Sequence, residues 1–306
     1  MSEKNIVLAS DDHYAQHLAV TLKSLLENNR SGTFNIFVFD GGIREENKAK
    51  ITLTVQPYRC RMTYLEVDDS LFRELDTGRL SIATYYRLLM TECIHVDKVL
   101  YLDIDLIVNA SIDELYETDI DDVFAAAVVD AWTGTAYKKQ LGMDEDADYF
   151  NAGVILINLK KWREAHLFEQ FLAKVRDKNL VLSAHDQDIL NLAFNGRWKP
   201  LPLKYNQYEK QPDLNQEMLL RFFSKAELKE AREHPVIIHY IGGRKPWHYR
   251  TEHVHKALYW HYLNMTPYRD YKPADRTLRN ILSKNTPMII RNPKRFFRTL
   301  FSSSKL

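Results

Sequence analysis

The chain has 306 residues, 45% of them hydrophobic, which is enough for one large domain with a buried core and a short extension. Its formal net charge of +1 gives no overall electrostatic field of the kind that nucleic-acid-binding proteins use. Its two cysteines, Cys60 and Cys93, cannot form a disulfide framework. With no signal peptide and no apolar run of membrane-spanning length, the sequence predicts a cytoplasmic protein that does not bind nucleic acid.

Predicted strands and helices alternate along most of the chain. Apolar residues recur at helical spacing in the first predicted helix, as at Leu18, Leu22 and Leu25. The predicted strands are 5–10, 34–39, 62–67, 99–102, 122–129, 149–158 and 236–240. The predicted helices are 14–29, 44–56, 81–94, 159–177, 186–194 and 259–263. This alternation predicts an α/β fold with a mostly parallel sheet and helices on both faces.

Two carboxylates, Asp103 and Asp105, follow the apolar run 99–102, which has the pattern of a buried strand. In an extended chain, residues two apart point to the same side, so both acids can converge at the end of the sheet where ligands bind. Adjacent anions repel and are usually held by a divalent cation. A solvated turn at the end of the strand would also explain the two residues.

The last predicted strand, 236–240, carries His239 near its end and is followed by Gly242, Gly243 and Lys245. An imidazole beside two carboxylates gives a mixed oxygen and nitrogen ligand set that suits Mn²⁺ better than Ca²⁺ or Zn²⁺. The glycines allow backbone amides to approach a phosphate, and Lys245 supplies a point charge to it. Together these residues predict a divalent cation and a diphosphate leaving group.

Three other polar segments lie where strands or helices begin or end. The Asp11 carboxylate can accept a hydrogen bond from a nucleotide base, and the Tyr14 ring can stack on it. Gly153 interrupts an apolar strand, which indicates close approach of a ligand or another part of the chain, or a bulge. The segment 186–188 opens a helix, and capping alone would explain its acidic residues.

Six short motifs, in order along the chain, resemble those of family 8 retaining glycosyltransferases of the GT-A fold, including bacterial lipooligosaccharide α-galactosyltransferases and, more distantly, glycogenin. The matching segments are 9–12, 81–87, 99–105, 149–162, 186–191 and 239–247. The resemblance covers roughly residues 5 to 262. It implies a hexosyltransferase that uses a UDP-sugar, with galactose or glucose as the sugar.

The resemblance also implies site residues. Mn²⁺ or Mg²⁺ would be bound by Asp103, Asp105 and His239. The expected donor contacts are Asp11, His13 and Tyr14 at the nucleoside, Ile104, Gly242 and Lys245 near the diphosphate, and Arg87, Asn151, Asp186 and Gln187 at the donor sugar. His13 stands where close relatives carry Asn. Asp130 matches a position near the acceptor.

Retention at the anomeric carbon requires a covalent sugar–enzyme intermediate or attack on the same face as the leaving group. The candidate catalytic residues are Gln187, Asp186, Asp188 and Asp130. Because an amide oxygen is barely basic, Gln187 is a poor nucleophile, and the two neighbouring aspartates are chemically better ones. Same-face attack is favoured, with the departing UDP oxygen taking the acceptor's proton. A nucleotidyltransferase, a non-catalytic nucleotide-sugar-binding module and a self-glycosylating enzyme are the alternatives.

The catalytic domain is predicted to span residues 1–263, followed by a basic extension, 264–306. From Arg276 to Leu306 there are eight Lys or Arg and no acidic residue, which leaves the preceding chain with a net charge of −7. The segment 288–301 interleaves basic and apolar residues, a pattern suited to the inner face of an anionic membrane. A docked or disordered tail is the alternative.

The acceptor is expected to be a saccharide: lipid-linked, as in lipopolysaccharide, on a teichoic-type polymer, or attached to protein.

Overall fold

A computed structural model describes residues 3–68, 82–144, 146–177, 179–208 and 216–285. The strands of these ranges are β1 Lys4–Ser10, β2 Phe34–Asp40, β3 Cys60–Glu66, β4 Lys98–Leu102, β5 Leu106–Val108, β6 Ala125–Val129, β7 Phe150–Asn158, β8 Trp198–Pro200 and β9 Ile237–His239. The α-helices are α1 Ala15–Glu27, α2 Glu45–Val55, α3 Met90–Cys93, α4 Asp113–Glu117, α5 Thr135–Gln140, α6 Leu159–Glu164, α7 Leu167–Arg176, α8 Asp186–Phe194, α9 Gln216–Leu219, α10 Lys225–Glu233, α11 Lys256–Asn264 and α12 Leu278–Asn285. Short 3₁₀ helices span Asp12–Tyr14, Ile82–Leu89 and Leu203–Asn206.

The central sheet has seven strands in the order β3-β2-β1-β4-β7-β6-β8 and is flanked by helices. Every pair is parallel except the two made by β7, which runs antiparallel to β4 and β6. All nine residues of β7 are buried, as its apolar sequence predicts for a strand covered on both faces. The predicted α/β architecture with a mostly parallel sheet is confirmed.

This topology brings distant segments to one edge of the sheet. The carboxyl ends of β1 and β4 lie side by side because these strands are parallel. The beginning of β7 reaches the same edge, where Leu102 pairs with Val154 and the Asp103 N–H donates to the Gly153 carbonyl at 2.8 Å. A second, two-stranded sheet pairs Leu106 of β5 with His239 of β9. The acids after β4 therefore meet the end of β9.

Two predicted helices differ from those observed. The predicted strand 99–102 is observed as β4, and β5, which follows the two acids, belongs to the second sheet. The described part of the predicted helix 81–94 is largely 3₁₀, followed by the short α3, and position 81 lies outside the described residues. The predicted helix 159–177 breaks at His166, whose backbone is left-handed at φ 50°. The break lets Trp162 of α6 pack edge-on against Phe171 of α7, with ring centroids 5.3 Å apart.

The beginning of the predicted extension packs on the domain. Tyr268 donates a hydrogen bond to the Asn47 side chain at 3.0 Å, and the Asp275 carboxylate accepts one from the Tyr249 N–H at 2.7 Å. None of the helices in the described ranges combines the length and hydropathy that a membrane crossing requires. The segment 288–301 lies outside the described residues, and the boundary at residue 263 stays a prediction.

The left-handed residue between α6 and α7 gives a first test. His166→Gly should raise the free energy of unfolding by about 0.5 kcal/mol, because the left-handed penalty of about 1–2 kcal/mol exceeds the entropic cost of glycine, about 0.5–1 kcal/mol. Glu169→Gly, at an exposed position within α7, should instead lose about 1 kcal/mol. Denaturant unfolding of both variants measures the difference, and equal losses would contradict this account of the break.

Candidate functional site

Asp103 and Asp105 lie in the bend between β4 and β5, and His239 ends β9. One ligand atom from each of the three lies within 4.8 Å of the other two. The side chains are 27%, 16% and 5% exposed, so the group opens to solvent mainly through Asp103. The predicted convergence of these three residues is observed, although the acids stand in a bend and not in an extended strand.

A chain of hydrogen bonds fixes the orientation of the His239 ring. The Gly153 N–H donates to Asn151 Oδ1 at 3.1 Å, and Asn206 Nδ2 donates to the same oxygen at 2.8 Å. The amide of Asn206 therefore presents its oxygen to His239 Nδ1, 3.0 Å away. Because an amide oxygen only accepts, Nδ1 carries the proton in this contact, and Nε2 is left to face the carboxylates.

His239 Nε2 then lies 3.1 Å from Asp105 Oδ1 and 3.8 Å from Asp103 Oδ2. A neutral ring with its proton on Nδ1 would direct a lone pair at these anions. Only a cation at Nε2, a proton or a metal ion, makes the contact attractive. Two carboxylates and an imidazole oriented in this way are a donor set that fits a borderline divalent cation such as Mn²⁺.

The absence of a side chain at Gly153 leaves room for the His239 ring. A Cβ on Gly153 would lie 2.1 Å from His239 Cε1, 2.7 Å from Nδ1 and 3.0 Å from Asp103 Oδ2. The predicted close approach at this glycine is thus an approach of the imidazole and a carboxylate, and it requires a residue without a side chain.

Arg87 is buried between two acids. Its guanidinium lies 2.7 Å from Asp103 Oδ1 and 2.8 Å from Asp186 Oδ2, and donates to the Ala152 carbonyl at 2.6 Å. Its planar group lies over the Tyr101 ring, 4.1 Å from the centroid. Since Tyr101 also donates to Asp103 Oδ1 at 3.1 Å, the other oxygen of Asp103 remains directed at His239.

The beginning of α8 presents Asp186 and Gln187 to this group. Thr84 donates to Asp186 Oδ1 at 2.8 Å, and burial raises the pKa of Asp186 above its ordinary value although Arg87 acts in the opposite direction. Gln187 Oε1 accepts from the Ala152 N–H at 2.9 Å, and its Nε2 donates to Asp130 Oδ2 at 3.1 Å. Both ends of the Gln187 amide are thus engaged by protein groups.

Asp188 lies fully buried on the other side of α8. Its carboxylate accepts hydrogen bonds from the hydroxyls of Tyr137 and Tyr149, both at 2.6 Å, and from the Ala184 N–H at 2.7 Å. These bonds anchor the turn that contains His185, whose backbone angles of φ 52° and ψ −117° are strained for a residue other than glycine. Asp188 therefore stabilises the turn that orients Asp186 and Gln187 toward the site.

A cleft of about 220 Å³ opens beside the three candidate ligands. It is lined by Ala9, Ser10, Asp11, Tyr14, Ala83, Thr84, Arg87, Tyr101, Asp103, Ile104, Asp105 and Lys245. Asp11 caps the 3₁₀ turn, accepting from the Tyr14 N–H at 3.1 Å, and leaves the Tyr14 ring 41% exposed. His13 and Gly242 are exposed and lie outside this lining, and Asn151, Asp186, Gln187 and His239 stand behind it.

Lys245 reaches back into the cleft. Its ammonium donates to Asp105 Oδ2 and, at 2.8 Å, to the Tyr240 carbonyl. Burial acts to raise the pKa of Asp105, but Lys245 and His239 outweigh it and hold that pKa well below its ordinary value.

An aromatic group supports the lysine loop. His17 of α1 stacks on Trp247, with ring centroids 3.6 Å apart, and its Nδ1 pairs with the Tyr259 hydroxyl at 2.7 Å. Burial lowers the pKa of His17 to about 3, so the stacked ring is neutral at pH 7. Together with Tyr14, edge-on to Trp247 at 6.3 Å, these rings join the first and last parts of the site.

Several residues of the site were not predicted. Tyr101 could have been found, because it lies two residues before Asp103 and so shares its side of the strand. Thr84 and Asn206 carry no signal in the sequence, since their roles come from tertiary contacts with α8 and β9. His17 falls on the apolar face of a predicted helix, where a structural role is the ordinary expectation.

Comparison with known proteins gives consistent results. The family model described as glycosyl transferase family 8 matches residues 5–251. A putative glycosyltransferase of Haemophilus influenzae is 34% identical over 256 residues, covering 82% of this chain and 74% of that protein. A lipopolysaccharide 1,2-glucosyltransferase of Escherichia coli is 28% identical over 286 residues, covering 88% and 81%. The structure of the galactosyltransferase LgtC in complex with donor and acceptor sugar analogs superposes with a TM-score of 0.76 at 30% identity, covering 86% of this chain and 96% of LgtC.

The close approach at Gly153 gives the second test. Gly153→Ala should lower the free energy of unfolding by about 3 kcal/mol, at the upper end for overpacking, because the new methyl group collides with the His239 ring. Gly134→Ala, where a Cβ meets nothing within 4 Å, should cost less than about 1 kcal/mol. Denaturant unfolding and Mn²⁺ titration of both variants measure the effects; unchanged stability and metal affinity in Gly153→Ala would contradict the arrangement.

Proposed function

The chain belongs to glycosyl transferase family 8 and has the GT-A-like fold of LgtC, and on this premise we propose that it transfers a hexose from a UDP-sugar to a saccharide acceptor with retention of anomeric configuration. The observation that carries the proposal is the contact of His239 Nε2 with two carboxylates at the mouth of a cleft. The same cleft is lined by five of the expected donor contacts, Asp11, Tyr14, Arg87, Ile104 and Lys245.

Asp103, Asp105 and His239 would hold a divalent cation, with Mn²⁺ proposed from the ligand types. When bound, such a cation supplies positive charge to the diphosphate oxygens, where negative charge grows as the sugar–phosphate bond breaks. Lys245 would add a second positive charge to the same oxygens. Asp11 and the exposed face of Tyr14 would orient the uracil at the opposite end of the cleft.

The donor sugar would lie against a group of four side chains, those of Arg87, Asp186, Asn151 and Gln187. Arg87 supports this role indirectly, because its ion pairs keep Asp103 and Asp186 in register with β7. The backbone bond from Ala152 keeps the Gln187 amide at the same edge. These residues position groups around the anomeric carbon without themselves providing a free base.

The step we propose is attack on the same face as the leaving group. The bond from the anomeric carbon to the β-phosphate oxygen breaks, and its electron pair stays on UDP. The acceptor oxygen bonds to that carbon, and its proton passes to the departing phosphate oxygen. This route needs no protein nucleophile, which agrees with the engagement of both Asp188 oxygens and of the Gln187 amide. Asp130, beside Gln187, would contact the acceptor.

One of the similar proteins is named a lipopolysaccharide 1,2-glucosyltransferase, and LgtC is named a galactosyltransferase in complex with donor and acceptor sugar analogs. We therefore propose a saccharide of lipopolysaccharide type as acceptor, with galactose or glucose as the sugar transferred. Trp132, 44% exposed in the loop after Asp130, offers a ring on which such a saccharide can stack. A protein-attached glycan or a teichoic-type polymer is the second candidate.

We also propose that the end of the chain touches an anionic membrane on its cytoplasmic face. Leu278 and Leu282 of α12, one helical turn apart, are 80% and 69% exposed. They begin the segment that holds eight basic and no acidic residues. Apolar side chains beside cations match the interface of an anionic bilayer.

Removal of a carboxylate tests the enzymatic role. Asp103→Asn and Asp105→Asn should each lower turnover of UDP-galactose or UDP-glucose by at least about a thousandfold, because charge stabilisation of the leaving group is lost. Asp122→Asn, at an exposed position, should retain wild-type turnover. Chromatographic detection of UDP measures the reaction. Pyrophosphate as the released product would instead identify a nucleotidyltransferase, and turnover undiminished by either site variant or by chelation would refute the metal site.

Replacement of two exposed leucines tests membrane contact. The double variant Leu278→Ser with Leu282→Ser should lose most of its flotation with phosphatidylglycerol vesicles, since it removes apolar surface that is exposed in the folded chain. The control pairs Val181→Ser with Val254→Ser, at positions 60% and 58% exposed elsewhere. Equal flotation of the two double variants would contradict this role of α12.

A further inference from the structure

Lys245 reaches one of the three candidate metal ligands from the side of the cleft. Its ammonium donates to Asp105 Oδ2 and to the carbonyl of Tyr240. The lysine therefore binds an oxygen of a proposed metal ligand. In the proposed function the same ammonium belongs on the diphosphate of the donor, so Lys245 has two alternative anionic partners.

The contacts of the two acids show what a metal ion would meet. Asp105 has both oxygens engaged, one facing His239 Nε2 at 3.1 Å and the other bound to Lys245. Asp103 has one oxygen held by Arg87 at 2.7 Å and by Tyr101 at 3.1 Å. Its second oxygen is directed at His239, 3.8 Å from Nε2. With Lys245 in place, a cation that binds Asp105 Oδ1, Asp103 Oδ2 and His239 Nε2 meets a carboxylate that already has a cationic partner, and a like charge beside it.

The charges of the site also disfavour metal binding while Lys245 pairs with Asp105. Arg87 is shared between Asp103 and Asp186, and Lys245 pairs with Asp105, so these three acids and two cations have a formal net charge of only −1. A divalent ion added to this group leaves an excess of positive charge in a half-buried place, which is unfavourable. A nucleotide diphosphate brings the negative charge that removes the excess, and it offers Lys245 oxygens outside the ligand set.

We propose that Lys245 is a tethered competitor of the metal ion. Without nucleotide it pairs with Asp105 and weakens metal binding; with the donor present it moves to the diphosphate and frees Asp105. Metal and donor then strengthen each other's binding, because a coupling between two ligands is reciprocal. The inference rests on the proposed function for the identity of the second ligand, a nucleoside diphosphate.

The loop that carries Lys245 is built for such a movement. Gly242 and Gly243 precede it and are both exposed, and a Cβ on Gly243 would meet nothing within 4 Å. Trp247, which follows, is buried and stacked on His17. Lys245 thus lies between an exposed glycine turn and the buried ring of Trp247. Its long side chain can exchange partners while Trp247 keeps the end of the loop in place.

Mn²⁺ titration in the absence of nucleotide tests the competition. Lys245→Met should bind Mn²⁺ at least about tenfold more tightly than the wild-type chain, measured by calorimetry or by electron paramagnetic resonance of free Mn²⁺. Arg244→Met removes a neighbouring exposed cation that contacts neither acid in the hydrogen bonds and ion pairs of the described residues, and should leave the affinity unchanged. Saturating UDP should tighten Mn²⁺ binding in the wild-type chain far more than in Lys245→Met.

Thermal unfolding provides the second readout. Lys245→Met leaves the Asp105 carboxylate without its ammonium, so the metal-free variant should melt at a lower temperature than the wild-type chain, and Mn²⁺ should raise its melting temperature by a larger amount. Lys245→Gln should behave in the same way. Mn²⁺ affinity in both variants equal to or weaker than in the wild-type chain would overturn the competition. Because these titrations need no turnover, that result is separable from a failure of UDP-sugar transfer.

Discussion

The contact between His239 Nε2 and Asp105 Oδ1, at 3.1 Å, is the constraint on which the rest of the site depends. It is attractive only with a positive charge at the nitrogen, and the nitrogen is held there by hydrogen bonds that begin at the backbone of β7. The Gly153 N–H sets the amide of Asn151, which sets the amide of Asn206, which sets the ring. If any one of these amides or the ring were flipped, a buried polar group would lose its hydrogen-bond partner. The site is therefore a pre-oriented acceptor of a cation.

The fold supplies this arrangement through the single antiparallel strand of its main sheet. Because β7 runs against β4, its beginning, and not its end, lies beside the acids, and so an asparagine and a glycine meet the carboxyl end of a parallel strand. The small second sheet closes the site from the other side, since pairing of β5 with β9 is what brings His239 back across the chain. An all-parallel sheet would have placed the same glycine at the opposite edge.

The sequence was sufficient to predict the fold class and those site residues whose type is unusual at their position. Two acids after an apolar run, a glycine inside a buried strand and a histidine at a strand end each violate a local rule, and functional sites are where such violations are expected. Asn206 and Thr84 violate none, because asparagine and threonine in a turn or 3₁₀ segment are ordinary. The break at His166 was equally hidden, since α6 and α7 share one amphipathic period and the turn between them is set by packing of Trp162 on Phe171.

Asp188 shows that the chemistry of a side chain does not by itself define its place in a site. From its side chain alone it is a better nucleophile than the amide before it, and it stands in the same helical turn. One residue along a helix, however, is a rotation of about 100°, which carries it from the side where Gln187 contacts Ala152 and Asp130 to the side of Tyr137 and Tyr149. There it accepts three hydrogen bonds and holds the strained backbone of His185. The hydrogen bonds of this carboxylate hold the backbone turn at His185, and this turn explains how Asp186 and Gln187 are oriented toward the site.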